Sequence, residues 1–84
     1  MKNAPVASGV TLDLHGKNLY QARVAIDAAL RRVSPAVYRM RIVHGYHGGS
    51  ALRDMIWAEY AVHPKVKRLV AVHDGVTELV LREL

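Results

Sequence analysis

The sequence predicts an α/β domain with the element order β-α-β-α-β-β. Three observations point to it. Stretches whose apolar residues alternate in twos exchange with stretches of helical period. The breaks between them hold Gly, Asn, Ser-Pro and His-Pro, which interrupt regular structure. Two of the strand-like runs end in the same dipeptide, in Leu12-Asp13-Leu14-His15-Gly16 and in Arg41-Ile42-Val43-His44-Gly45.

Each element has its own reason. Val10 to His15 alternates, with Val10, Leu12 and Leu14 on one face and Thr11, Asp13 and His15 on the other, as in a half-buried strand. Gly16-Lys17-Asn18 breaks it, and Asn18 suits an N-cap. Leu19, Ala22, Ile26, Ala29, Leu30 and Val33 recur at helical spacing, and Ser34-Pro35 ends that helix. Val37 to His44 is a second strand, with Tyr38, Met40 and Ile42 opposite Arg39, Arg41 and Val43. Gly45 to Gly49 is a glycine-rich loop, and Ser50 suits a cap for a helix whose stripe is Leu52, Met55, Ile56, Glu59 and Tyr60. His63-Pro64 stops it. Lys67 to His73 and Val76 to Leu84 are the last strands. Asp74-Gly75 between them favours a two-residue hairpin turn with positive φ at both positions. Two right-handed crossovers put both helices on one face of the sheet. Arg39, Arg41, Arg68 and Arg82 then compete with Val43, Val70, Val72 and Val80 for the open face.

Size and composition bound the function. The 84 residues make one small domain, and 51% hydrophobic residues suffice for a single core. Met1 to Gly9 has no period and reads as a flexible tail before a domain of residues 10–84. With one lysine and no long apolar stretch, it does not read as a signal peptide. The absence of cysteine excludes disulfides and thiolate metal sites and fits a reducing, cytoplasmic setting. No run is long enough to span a membrane. The net charge of +5 favours polyanions such as nucleic acid.

Ligands of open α/β sheets collect at the carboxyl ends of the strands, so the histidines there are the candidate chemistry. Asp13 two residues before His15 can orient the imidazole, raise its basicity or share a metal ion with it. The structural alternative is a pair that bonds to loop amides. His44 to Ser50 leads straight into a helix, and glycines with exposed amides suit a phosphate. The alternative is a turn whose glycines only satisfy geometry. The loop lacks the Lys-Ser/Thr ending of a nucleotide-binding loop, which rejects ATP or GTP hydrolysis. Tyr46 is placed to stack on an unpaired base, whereas Trp57 and Tyr60 read as core or partly buried. If the third strand runs parallel to the first two, His73 joins His15 and His44, and with Asp13 they form a set for a divalent metal. Lys65, Lys67 and Arg68 form a basic cluster at the opposite strand end, read either as a solvated patch or as a contact to nucleic-acid backbone.

These motifs resemble the Smr (small MutS-related) domain family. The resemblance rests on Leu12-Asp13-Leu14-His15-Gly16, Ile42-Val43-His44-Gly45, Leu52-Arg53 and Pro64-Lys65-Val66, and it covers nearly everything from Val10 to Leu84. It implies a two-layer sandwich with a four-stranded mixed sheet, similar to the C-terminal domain of bacterial translation initiation factor three. It implies nucleic-acid binding, with nicking of DNA or RNA as the activity. Asp13, His15 and His44 are then the catalytic candidates, and Gly45, Tyr46, His47, Gly48, Gly49 and Arg53 the nucleic-acid-binding ones. Mg²⁺ or Mn²⁺ is the cofactor such cleavage would use. The alternative is a module that binds DNA, RNA or the ribosome without cutting. Three departures stand out. His47 takes the place of a usual glycine, one extra residue separates His44 from the Leu-Arg pair, and the stretch joining the last strands is reduced to Asp74-Gly75.

Overall fold

The computed structural model describes residues 9–83. The elements follow the expected order: β1 (Gly9–Asp13), α1 (Leu19–Arg32), β2 (Arg39–Val43), α2 (Ala51–Glu59), β3 (Arg68–His73) and β4 (Val76–Val80). The N-terminal tail reading falls mainly on residues 1–8, outside the described residues, and Gly9 already belongs to β1.

The sheet order is β1-β2-β4-β3. β1 pairs parallel with β2, and β4 pairs antiparallel with both β2 and β3. The sheet is therefore mixed, and β3 runs in the same direction as β1 and β2. Both helices lie on one face, as the right-handed crossovers require. Met40 faces Leu79 and Leu79 faces Leu69, and this inner row packs with Ile26 and Leu30 of α1 and Ile56 of α2.

α1 starts where Asn18 accepts from the Gln21 amide at 2.7 Å while the Gln21 side chain accepts from the Asn18 amide at 3.0 Å. This reciprocal cap satisfies two donors that the first turn leaves open. Across the helix pair, Arg23 holds Glu59 through two bonds of 2.8 Å. Tyr60 donates to Asp27 at 2.6 Å, and burial with that contact pushes the Tyr60 hydroxyl well above its ordinary range. Glu59 thus lies outside the apolar stripe in which the spacing had placed it.

On the open face, Arg39 faces Val80, which faces Arg68, and Arg41 faces Glu78, which faces Val70. Arg39 and Arg41 both reach Glu78, at 3.2 and 3.3 Å. The arginine stems explain why all five β4 residues are buried although one side of the sheet has no helix. Arg82 lies beyond β4 rather than on that face.

Several local readings differ. The strands are shorter than the alternation suggests: β1 and β2 stop before their histidines, β2 and β3 start later, and β4 ends at Val80, the expected end at Leu84 lying outside the described residues. Ser50 precedes α2, but its hydroxyl bonds to the Asp54 carboxylate at 2.8 Å and leaves the helix amides uncapped. Asp74-Gly75 does connect β3 and β4, but neither residue has positive φ. A bulge between Ala71 and His73 supplies the local adjustment instead.

Candidate functional site at the His-Gly edge

β1 and β2 are parallel neighbours, so their carboxyl ends, and the two His-Gly turns, lie side by side. Leu14 donates to the Val43 carbonyl at 2.8 Å and joins them past the last strand pair. Leu14 to Lys17 is a turn closed by the Lys17 amide on the Leu14 carbonyl at 3.1 Å, with Gly16 at φ 81° in its third position. That φ suits glycine. Gly45 has φ 76°, and a Cβ built there would stand 3.4 Å from the His15 Cβ. The two turns therefore touch. Between them lies a cleft of about 380 Å³ whose lining includes His15, Lys17, Tyr46, His47 and Leu52.

Asp13 and His15 meet as their spacing suggests, although His15 lies in the turn and not on the strand. His15 Nδ1 is 2.6 Å from Asp13 Oδ1, and the His15 amide donates to the same oxygen at 3.2 Å. The ring bond, aided by the backbone bond, holds the Asp13 carboxyl below the usual carboxylate range. Because the carboxylate accepts, the neutral ring carries its proton on Nδ1, and its Nε2 is an acceptor with no partner among the described residues. The His15 side chain is 70% exposed.

His44 is placed differently. It is 4% exposed. Its Nδ1 lies 2.9 Å from the Gly45 carbonyl, and its Nε2 lies 2.9 Å from the Thr77 hydroxyl. The carbonyl only accepts, so Nδ1 donates. The Thr77 hydroxyl then donates to Nε2, and its oxygen takes the Trp57 indole N–H at 3.0 Å. Every donor in this chain of three side chains has an acceptor. Neither His44 nitrogen is left over for a ligand in this arrangement.

The loop after His44 is tied to the β3–β4 turn. The His44 and Gly45 amides both donate to the Gly75 carbonyl, at 2.9 and 3.0 Å. The Gly49 amide donates to Tyr46 at 3.3 Å. The amides that remain without such a backbone partner among the described residues are those of Tyr46, His47 and Gly48. Tyr46 is 53% exposed and stacks on His47 with ring centroids 4.4 Å apart. Arg53 lies in the first turn of α2 and lines a neighbouring hollow with Tyr46 and Asp74.

His73 also ends its strand at this edge, because β3 runs parallel to β1 and β2. β4 stands between it and His44, however, and its Nδ1 faces the Gly75 amide at 3.4 Å. Among the described residues no group of three or more His, Asp or Glu is placed to hold a metal ion. The expected set of three imidazoles and Asp13 does not assemble among the described residues.

Sequence reasoning missed Thr77, Trp57 and Gly75. Thr77 sits on the inner row of β4 with Leu79, and a polar residue in an apolar row was the available signal. Gly75 is tightly packed, since a Cβ would stand 3.1 Å from the Tyr46 ring and 3.3 Å from the Gly45 Cα. The Asp-Gly pair reads as a turn and hides that contact.

A two-layer α/β sandwich with two touching His-Gly turns at one sheet edge defines the class. The sequence matches the Smr domain over residues 12–78, and the chain belongs to the Smr domain family. The fold is similar to the crystal structure of the Smr domain of Thermus thermophilus MutS2, with a TM-score of 0.78 and 26% identity. That match covers 88% of this chain and 99% of the other. No curated protein matches. The family supports a nucleic-acid-related role in general terms. No helix among the described residues is long and apolar enough to cross a membrane.

Proposed function

We propose that this Smr domain binds DNA or RNA at the His-Gly edge and nicks a phosphodiester bond there. The observation that carries the reading is the Asp13–His15 contact at the mouth of the cleft. A carboxylate fixes the imidazole tautomer and leaves Nε2 as a base open to solvent. In the proposed step, water attacks phosphorus while its proton passes to His15 Nε2. The new P–O bond forms, the bond to the leaving sugar oxygen breaks, and that oxygen takes a proton from solvent. Asp13 balances the imidazolium formed. Tyr46, His47, Gly48 and Arg53 contact the substrate, and Tyr46 stacks on an unpaired base. His44 positions the loop through the Gly45 carbonyl and does not touch the phosphate.

One observation favours a second reading, binding without cleavage. The Gly45 and Gly49 amides already have acceptors, so the loop offers fewer donors to an anion than its glycines suggest. The two readings separate in one assay. Supercoiled plasmid and structured RNA are incubated with the wild type, His15→Ala and Asp13→Asn, with and without Mg²⁺ or Mn²⁺. Loss of a general base costs about 10²–10⁴-fold in rate, so the nicking reading expects cutting by the wild type and little by His15→Ala. Equal cutting by all three proteins removes Asp13 and His15 from the chemistry. Binding without cutting in all three leaves a binding module.

A further inference from the structure

The net positive charge of this protein does not sit where its motifs sit. The His-Gly edge carries Lys17 and Arg53 against three carboxylates, Asp13, Asp54 and Asp74. The opposite end of the sheet is built from the end of α1, the start of β3 and the end of β4. It carries Arg31, Arg32, Lys65, Lys67, Arg68 and Arg82 against Asp27 and Glu83. All six cations are exposed. Asp27 already accepts from Tyr60, and Glu83 is bound to Arg68 at 2.8 Å. Arg31, Arg32, Lys65, Lys67 and Arg82 have no carboxylate partner at salt-bridge distance among the described residues.

Helix polarity accounts for part of this. Cations offset the partial negative charge at the end of a helix, and Lys65 donates to the Leu30 carbonyl at 2.9 Å in the last turn of α1. One lysine performs that task. Of the rest, Lys67 and Arg82 stand with Lys65 around a cleft of about 360 Å³ that Val33, Val37 and Leu81 also line. Unpaired cations held together against their own repulsion raise the local potential and attract a polyanion.

We infer that this basic end grips nucleic-acid backbone, as a second contact surface remote from the His-Gly edge. The inference rests on the nucleic-acid reading above and says where the affinity comes from. Phosphate contacts supply most of the sequence-independent affinity and position the ligand without reading bases. The open sheet face connects the two ends. Arg39 and Arg41 stand on it in register with Gly9 and Thr11, and β1 continues to Asp13. They share one carboxylate, Glu78, so this path also carries excess positive charge. A backbone held at the basic end is thereby led along β1 and β2 toward Asp13 and His15.

The test is the salt dependence of binding, read by fluorescence anisotropy with the full chain. The probes are a labelled DNA duplex and a labelled single-stranded RNA of about twenty units each. Each phosphate neutralised contributes a slope of about 0.9 on duplex DNA and about 0.7 on single strands when log affinity is plotted against log salt. The variant Arg31→Gln/Arg32→Gln/Lys67→Gln/Arg82→Gln spares Lys65 and its helix contact. It is expected to lower the slope by about 3–4 on the duplex and about 3 on the RNA, with unchanged circular dichroism. Lys67→Gln/Arg82→Gln should remove about half of that and serves if the fourfold variant does not fold. Wild-type binding with an unchanged slope in the multiple variants overturns the inference and leaves the nucleic-acid reading intact. Failure of the wild type to bind either probe at low salt overturns both.

Discussion

The same dipeptide ends two neighbouring strands and does two different things. His15 follows the edge strand β1, and among the described residues its ring pairs only with Asp13. His44 follows the inner strand β2, beneath α2, and its buried ring bonds to the buried Thr77 hydroxyl, which the half-exposed Trp57 covers from α2. Side-chain alternation decides the difference. Asp13 is level with Val43, so it is Leu14 that is level with His44, and Leu14 is 1% exposed although β1 is an edge strand. His44 continues the inner row of Met40 and Ile42, whereas His15 falls one residue later, on the side of Thr11 and Asp13. A His-Gly at a strand end thus marks the working edge but does not say which histidine faces the ligand. The exposed one keeps a free nitrogen, and the buried one supports the loop that the first must meet.

The largest expected difference between the two is in stability. His44→Ala empties a buried site and removes the acceptor of the Thr77 hydroxyl. It should cost roughly 2–4 kcal/mol in urea unfolding, from the void and the buried group left unpaired. His15→Ala removes an exposed ring and should stay within about 0.5 kcal/mol of the wild type. Equal losses in the two variants would break the comparison.

The glycines provide the next contrast. Gly75→Ala should cost about 1–3 kcal/mol through overpacking alone, because its Cβ meets the Tyr46 ring at 3.1 Å and the Gly45 Cα at 3.3 Å. Gly16→Ala meets nothing within 4 Å, and its penalty is the left-handed φ, about 1–2 kcal/mol. The two should separate in Tyr46 fluorescence or side-chain NMR shifts, which only Gly75→Ala is expected to move. A silent Gly75→Ala would mean that Tyr46 is not held against the turn.

Thr77→Val sharpens the reading of His44. It keeps the shape and breaks both bonds of the buried chain, leaving His44 Nε2 without a donor. The cost should be about 1–2 kcal/mol. The ¹⁵N shift of Nε2 should move while that of His15 stays. No movement at His44 would show that the Thr77 hydroxyl does not donate to it.

How much of this could be read from the chain follows from the range of each interaction. The element order was legible because alternation and helical period are local, and so were the Asn18 cap and the Asp13–His15 pair. The face carrying the helices was legible from crossover handedness. The insertion of β4 between β2 and β3 was not, because no local signal states strand order. That insertion takes His73 away from His44 and puts Thr77 beneath it. Ser50 was misjudged as a cap because Asp54, one turn on, competes for its hydroxyl. The uneven charge was legible only in part: Lys65, Lys67 and Arg68 are close in sequence, but Arg31, Arg32 and Arg82 join them only when the sheet is assembled.

The smallest effect is also the most direct probe of the exposed histidine. His15 donates twice to Asp13, through its ring at 2.6 Å and its amide at 3.2 Å. Both bonds favour the carboxylate, and the ring bond is the larger cause of its lowered pKa. The sign follows. A carboxyl with a folded pKa below its unfolded value adds stability above the unfolded pKa and loses it as pH falls through the folded one. Asp13 is open to solvent, so the stability change at acid pH will be small. Its titration can still be followed by the carboxyl ¹³C shift. In the wild type the midpoint should lie below that of an ordinary aspartate. In His15→Ala the ring bond goes and the amide bond stays, so the midpoint should rise only part of the way back. A full return would mean that the amide contributes nothing, and no change would mean that the ring does not hold the carboxylate. The second outcome would also deprive the proposed base of its fixed tautomer, since that assignment depends on Nδ1 donating to Asp13.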